Sequence, residues 1–247
     1  MIETRALTAP RDFEECLHLQ KIIWGFAENE LLPVRLFVVA TKVGGQVFGA
    51  FDRDRMIGFC IATPGIKPGG KPYLHSHMLG VLAEYHNAGV GRMLKLRQRA
   101  EALERSIDLI EWTFDPLEIK NAYFNLERLG AIVRRYVENQ YGTTSSHLHG
   151  SLPTDRCVAE WWIASERVEQ TLSGSHPPRP PVEARIEIPV AIAAWRREDP
   201  KRARELQKSV TEQFLQHFRR GLTVFGFEKS PDSGAYLFGQ LFLGGRQ

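Results

Sequence analysis

The chain has 247 residues, 43% of them hydrophobic and 25% charged, which supports a sizeable buried core in one domain with an extension or in two small domains. A formal net charge of +3 mildly favours an anionic ligand and is too small to argue for nucleic acid, and basic residues along the helices read as a solvated face. Cys16, Cys60 and Cys157 stand far apart without a CxxC pair, no segment is long and apolar enough to span a bilayer, and charged residues occupy the first positions where a secretion signal needs an apolar run. A cytoplasmic protein with no membrane partner is expected.

Ile2 to Leu7 reads as a first strand. Ala9-Pro10 opens a helix carrying Phe13, Leu17, Ile23 and Trp24, and Gly25 ends it. Pro33 opens a second helix with Leu36, Phe37 and Ala40, closed by Gly44-Gly45. Val47 to Phe51 and Met56 to Thr63 are strands, joined as a hairpin by the charged run Asp52-Arg53-Asp54-Arg55. A Gly/Pro loop, Pro64 to Pro72, leads to a strand from Tyr73 to Val81. After a glycine turn, Val90, Met93, Leu96, Ala100 and Leu103 recur at helical spacing. Ser106 to Phe114 is a further strand, broken by Asp115-Pro116. A helix with Ile119, Ala122, Leu126 and Leu129 then runs to Gly130.

Beyond Tyr141 the pattern thins. Arg156 to Ala164 reads as a strand, and Gly174 to Pro181 as a linker or exposed loop. Asp199 as N-cap and Pro200 in the first turn begin an amphipathic helix carrying Ala203, Leu206, Val210, Phe214 and Phe218. It ends with Arg219-Arg220-Gly221, cations followed by a glycine, as the helix dipole prefers. Leu222 to Phe227 and Ala235 to Phe242 form a terminal hairpin around Pro231-Asp232-Ser233-Gly234.

The turn between Val81 and Leu94 carries the chemistry. A glycine turn that opens a helix leaves backbone N–H groups unpaired at the positive end of the helix dipole, which makes a site for a phosphate. Gly89 and Gly91 let a bulky ligand approach a backbone without Cβ. A dinucleotide loop would place a third glycine where Leu94 stands, and a nucleoside-triphosphate loop would need Gly-Lys-Ser/Thr, which is absent. What remains is a short loop with one pair of glycines.

This run resembles the acyl-CoA loop of the GNAT superfamily of N-acyltransferases. The family pattern is Gln or Arg, two residues, Gly, one residue, then Gly or Ala, after a strand ending in Val-x-Pro-Glu-Tyr or similar. Val81, Glu84, Tyr85, Gly89, Val90, Gly91 and Leu94 fall in place, whereas Ala83 replaces a common proline and His86 replaces Gln or Arg. Downstream, the family helix reads Asn-x-x-Ala-x-x-x-Tyr-x-x-x-Gly-Phe. Ala122 and Gly130 match it in register, while Ile119, Leu126 and Ala131 stand at the Asn, Tyr and Phe positions.

The resemblance covers residues 1 to 165 and implies an α/β (α+β) fold: a mixed, mostly antiparallel sheet flanked by helices and splayed at the acyl-CoA site. Residues 166 to 247 would be a helix-plus-hairpin extension, small for an independent core and expected to pack on that domain or on a second subunit as a homodimer. The resemblance further implies that the thioester carbonyl is held by a backbone N–H around Leu79, Gly80 and Val81. It places the pyrophosphate on His86, Asn87, Ala88, Gly89, Val90, Gly91 and Arg92, with Asn121 and Asn125 substituting for the family Asn at the pantetheine amides.

Acyl transfer to an amine needs a neutral amine and a polarised carbonyl, while the departing CoA thiolate either takes a proton or leaves without one. His75 and His77 share one face of an extended strand, and His77 is the nearer to the expected thioester. His77 is the candidate base and His75 an acceptor-pocket residue; a buried histidine satisfied by a carbonyl is the plain alternative. Glu111 is the second candidate base, or else a cross-strand or solvent-facing carboxylate. Asp115 could bind an acceptor ammonium, or serve only a turn. Tyr123, one turn before Leu126, is the candidate acid, or else core or pocket wall; water could serve instead.

Two His-x-His pairs, His75/His77 and His147/His149, raise a metal site, but the spacing identifies no further ligand and no metal is expected. The leading function is transfer of an acyl group from acyl-CoA to the amine of a small molecule, such as an amino acid, with acetyl-CoA the default donor. The segments His-Ser-His-Met-Leu-Gly-Val, Trp-Thr-Phe-Asp-Pro, Asn-Ala-Tyr-Phe-Asn and Leu-Pro-Thr-Asp-Arg look like a less-described branch whose members transfer succinyl groups, which keeps succinyl-CoA open. Arg134, Arg135 or Arg156 would then bind the distal carboxylate if they face the pocket. A catalytically degenerate CoA-binding module is the alternative, and a metal-dependent hydrolase on another fold is a third reading.

Overall fold

The computed structural model describes residues 1–142 and 152–241, so His147, His149 and Phe242 lie outside the described residues. The chain divides into two compact units, Met1–Glu111 and the residues from Trp112 onward.

The first unit runs β1 (Ile2–Ala6), α1 (Pro10–Trp24), α2 (Val34–Lys42), β2 (Gln46–Asp52), β3 (Arg55–Ile66), β4 (Pro72–Val81), α3 (Val90–Glu104) and the start of β5 (Leu109–Phe114). Its strands follow the order β1-β2-β3-β4-β5; the first four are antiparallel and β4 meets β5 in parallel. Gly25 ends α1 in the left-handed conformation at φ 67°, its N–H reaching Lys21 O, as a C-terminal glycine should. Phe13 of α1 stacks on Phe37 of α2 at 5.9 Å, and both join Phe48, Phe59 and Leu94 in the core. Gly80 is a close-approach position, since a Cβ there would come within 2.4 Å of the Trp24 ring. The Trp24 indole thus lies directly against β4.

One helix face departs from the sequence reading. The buried side of α3 is Val90, Leu94, Lys95, Gln98 and Ala102, not the stripe through Met93, Leu96, Ala100 and Leu103. The physical reason is that a lysine and a glutamine occupy interior positions and make polar contacts there, described below.

The second unit contains the end of β5, α4 (Ile119–Tyr123), β6 (Ile132–Val137), β7 (Arg156–Trp162), α5 (Glu166–Leu172), β8 (Ala184–Pro189), α6 (Ile192–Glu198), α7 (Pro200–Arg219), β9 (Thr223–Lys229) and β10 (Ser233–Gly239). Its strand order is β5-β7-β6-β9-β10-β8. The helix α4 continues into a π-helical turn over Phe124–Arg128. Asp199 caps α7 by accepting the Arg202 N–H at 3.1 Å. On the inner face of α7, Phe214 contacts the rings of Tyr136 at 5.0 Å, Tyr236 at 5.0 Å and Phe238 at 5.5 Å. β9 continues the sheet by pairing antiparallel with β6 at Val133 and Val224. Residues after 165 therefore share one core with β6. The sheets are mixed and mostly antiparallel with flanking helices, the α/β class expected.

Candidate active site

β4 has two properties that an ordinary strand lacks. Its ladder to β5 comprises the pairs Leu74 with Ile110 and His75 with Glu111 and goes no further. On its other edge, Ile61 pairs with Met78 but Ala62 pairs with Ser76, which leaves His77 as an extra residue in β4. An extra residue is a β-bulge: it bends the strand and re-aims the neighbouring side chains and amides. Leu79, Gly80 and Val81 remain paired with β3 on that edge, opposite Cys60, Phe59 and Gly58. On the β5 side their backbone meets no described strand, so an extended polar ligand could form a ladder there.

The chain then turns through Ala83–Tyr85 in a single 3-10 turn. Three side-chain contacts pin that turn: Arg55 to Glu84 at 2.8 Å, Tyr85 Oη to Asp52 at 2.9 Å, and the His86 ring Nε2 to Val81 O at 3.0 Å. His86 thus ties the loop back to the end of β4. Asn87 and Gly89 both adopt left-handed backbone, at φ 65° and 81°. The first turn of α3 closes with the Met93 N–H on Gly89 O, so the earlier N–H groups face out from the start of a 15-residue helix. Among the described residues, and apart from its neighbours in the chain, nothing lies within 4 Å of a Cβ built on Gly89, and at Gly91 the nearest atom belongs to Leu79, at 3.6 Å. The space over the helix start is open, the amides converge on it and the dipole favours an anion. The loop could hold an anion such as a diphosphate.

His75 and His77 do share a face, with ring centroids 6.1 Å apart. Desolvation holds both below the ordinary histidine pKa, and at His75 the neighbouring His77 adds to the effect. Both are therefore poised as neutral imidazoles, able to accept a proton. Glu111 is neither solvent-facing nor idle. It is buried, and both carboxylate oxygens lie 2.6 Å from the Lys67 ammonium, which also sits 4.4 Å above the Tyr73 ring. His75, His77 and Glu111 come together in one unit with the glycine loop.

The remaining sequence candidates belong to the second unit. Asp115 is committed: one oxygen accepts the Leu117 N–H at 2.8 Å and the other meets Arg196 at 2.7 Å. Its charge already has a cation, which is at odds with a site for an acceptor ammonium. Asn125 is buried and accepts the Trp112 indole N–H at 3.2 Å, so it braces a side chain rather than facing a ligand. Asn121 is exposed on α4. Tyr123 is partly buried with the Lys229 ammonium 3.8 Å over its ring. Arg134 is paired with Glu160, and Arg156 is buried with one guanidinium nitrogen on Asp155 O at 2.9 Å, so neither is a free surface charge.

A polar cluster behind β4 was not legible in the sequence. Lys95, Ser76 and Gln98 are all buried; Lys95 Nζ donates to Ser76 Oγ at 2.9 Å, which donates to Gln98 Oε1 at 3.0 Å. Burial pulls the Lys95 pKa from 10.5 down to about 7. The available signal was only a lysine and a glutamine three residues apart, off the hydrophobic stripe that the sequence pattern marks.

Among the described residues no group of three or more His, Cys, Asp or Glu side chains could hold a metal ion, and no helix is long and apolar enough to cross a membrane.

No protein-family model matches the chain, and a search of curated proteins finds no match to its sequence. Solved structures do match. The ribosomal-protein-S18-alanine N-acetyltransferase from Escherichia coli superposes with a TM-score of 0.52 at 16% identity, over 66% of this chain and 94% of that one. Arabidopsis thaliana Naa50, solved with the bisubstrate analogue CoA-Ac-MVNAL, gives 0.51 at 16% identity over 64% and 97%. A Desulfovibrio desulfuricans protein described as an acetyltransferase of the GNAT family gives 0.51 at 14% identity over 66% and 100%. With its bulged β4 and its glycine loop, the chain has the fold of the GNAT N-acetyltransferases.

Proposed function

We propose that this protein is an acyl-CoA-dependent N-acyltransferase that transfers its acyl group directly to a bound amine. The observation that carries the reading is the conjunction in β4: its pairing with β5 ends at His75, it bulges at His77 and it runs into the left-handed Gly89 at the start of α3. The backbone of 87–92 would hold the pyrophosphate. The edge of Leu79–Val81 that meets no described strand would receive the pantetheine amides and polarise the thioester carbonyl through its N–H groups, the Val81 carbonyl being held by the His86 ring. Acyl-CoA supplies the activated carbonyl and a thiolate leaving group. His77 takes the proton from the incoming ammonium, and neutral His75 shapes the acceptor side. The acyltransferase part comprises residues 1 to 165, the remainder being an extension, and the compartment is the cytoplasm.

The donor is acetyl-CoA by default, with succinyl-CoA the second candidate, and the acceptor is a small amine such as an amino acid. Two proteins of similar fold broaden the acceptor panel: one is named for an alanine of a ribosomal protein, and the other was solved with a peptide bisubstrate analogue. The test is release of free CoA thiol from acetyl-CoA and succinyl-CoA over amino acids, small amines and N-terminal peptides. Amine-dependent release supports the reading. Tight CoA binding with no release from any pair would establish a binding module instead, the reading favoured by Leu126 at the family tyrosine position.

A further inference from the structure

The first turns of α3 serve the phosphate loop, but the helix reaches further. One turn beyond Gly91, Lys95 turns inward and meets Ser76 of β4; a turn later Gln98 meets the same hydroxyl. Ser76 is the residue at which β4 regains register with β3, immediately beside the extra residue His77. The chain of contacts extends to β2, because Gln46 Nε2 donates to Gln98 O at 3.0 Å. All four side chains are buried.

This arrangement is a poor way to gain stability. A buried ammonium carries a desolvation cost of several kcal/mol, and well-packed apolar residues of similar volume often stabilise such sites. Two further polar atoms, Gln46 Oε1 and Gln98 Nε2, are buried without a hydrogen-bond partner among the described residues. What the cluster does supply is direction. A bulge interrupts the ladder that would otherwise fix the strand, and Ser76 Oγ is held from two sides by one helix.

We propose that Lys95 is a positioning residue that, through the Ser76 hydroxyl, fixes the bulge of β4 to α3. One rigid helix then sets both the phosphate loop and the strand that receives the thioester. The proposal rests on the acyltransferase reading for its consequence in turnover, but not for its structural content. Among the described residues, the groups near the Lys95 ammonium include Ser76 of β4, Gln98 of its own helix and the Cys60 thiol of β3, with His75 on the opposite face of β4.

The experiment compares the full chain with Lys95→Met, Ser76→Ala and Ser76→Thr. Backbone amide exchange across residues 76–81 should accelerate about tenfold or more in Lys95→Met and Ser76→Ala. Exchange elsewhere in the first unit should stay near wild type, and Ser76→Thr, which keeps the hydroxyl, should restore protection. Turnover should fall about tenfold with the acetyl-CoA KM changed less than about twofold, since the loss lies in alignment rather than binding. Unchanged exchange and turnover in folded Lys95→Met would overturn the proposal. So would failure of both Lys95→Met and Ser76→Ala to fold, or a uniform rise in exchange with a lower melting point, because the cluster would then be merely structural. If no amine supports turnover, the acyltransferase reading fails, while the local exchange result still decides the role of Lys95.

Discussion

The ring of His77 lies 6.1 Å from that of His75, yet only His75 has a partner in the β3 ladder, opposite Thr63. The extra residue in β4 therefore carries the candidate base. A histidine on a bulge can approach a ligand at an angle that the regular pleat forbids. Replacing it by glutamine keeps size and hydrogen bonding but removes the titrating nitrogen. His77→Gln is expected to lower turnover about a hundredfold with little change in acetyl-CoA affinity. A raised acceptor KM with near-normal turnover would assign His77 to the pocket wall instead.

The pH dependence of the same site has a definite sign. Desolvation lowers both histidine pKa values below 6.5, at half-buried His75 and also at His77, whose side chain still reaches solvent, so the neutral, proton-accepting forms persist to lower pH than in a free histidine. The acid limb of kcat/KM should therefore lie below 6.5, with the rate falling as pH drops through it. A rate that already falls between pH 8 and 7 would show that a group other than these histidines controls the acid side.

Gly89 tests the phosphate loop. At φ 81° a branched side chain is strained, and the surrounding space that would admit it is the space a pyrophosphate needs. Gly89→Val should weaken CoA binding by about a hundredfold or more, measured by calorimetry, in a protein that remains folded by circular dichroism. Wild-type affinity in the folded variant would remove the pyrophosphate from this loop.

How far the sequence could be read follows from what each signal rests on. The glycine turn, the strand before it and the helix from Pro200 to Arg219 were legible because glycine, proline, capping aspartate and apolar spacing act locally. The bulge was not, because it is a property of two strands in register and neither strand alone records it. The inward face of α3 was misread for a related reason: Lys95 and Gln98 are polar, so a hydrophobic pattern rotates away from them. Asp115 and Asn125 looked available in sequence since their partners, Arg196 and Trp112, stand 81 and 13 residues away. Three short elements, α5, β8 and α6, have 7, 6 and 7 residues, too few for a period to separate from chance.

The residues after 165 should prove structural. Arg196 of α6 is buried and bridges Asp115 at 2.7 Å and Glu118 at 2.6 Å, while Tyr236 of β10 donates to Pro116 O at 2.7 Å. Removing the cation leaves a largely buried carboxylate without it, so Arg196→Ala should cost about 3 kcal/mol. Phe214→Ala, which empties the centre of the aromatic cluster, should cost about 3–5 kcal/mol. Urea denaturation measures both; losses under about 0.5 kcal/mol would show that the extension contributes little to this core.

Lys95 offers a test of its own burial, independent of any activity. In the unfolded chain its pKa returns to the ordinary 10.5, whereas in the folded protein it is about 7. Between those values the unfolded chain holds a proton that the folded protein has released. Wild-type stability therefore rises with pH across that window, by up to about 1.4 kcal/mol per pH unit from this group. Below about pH 7 the folded protein bears the full cost of the buried ammonium. Methionine has no such cost at any pH, so Lys95→Met should be the more stable protein at pH 6, with its advantage shrinking steadily by pH 9. Urea midpoints for the two proteins at pH 6, 7.5 and 9 give the answer directly. A difference that does not change with pH would mean that the Lys95 ammonium keeps its charge throughout, and that its environment is far more polar than its hydrogen bond to Ser76 implies.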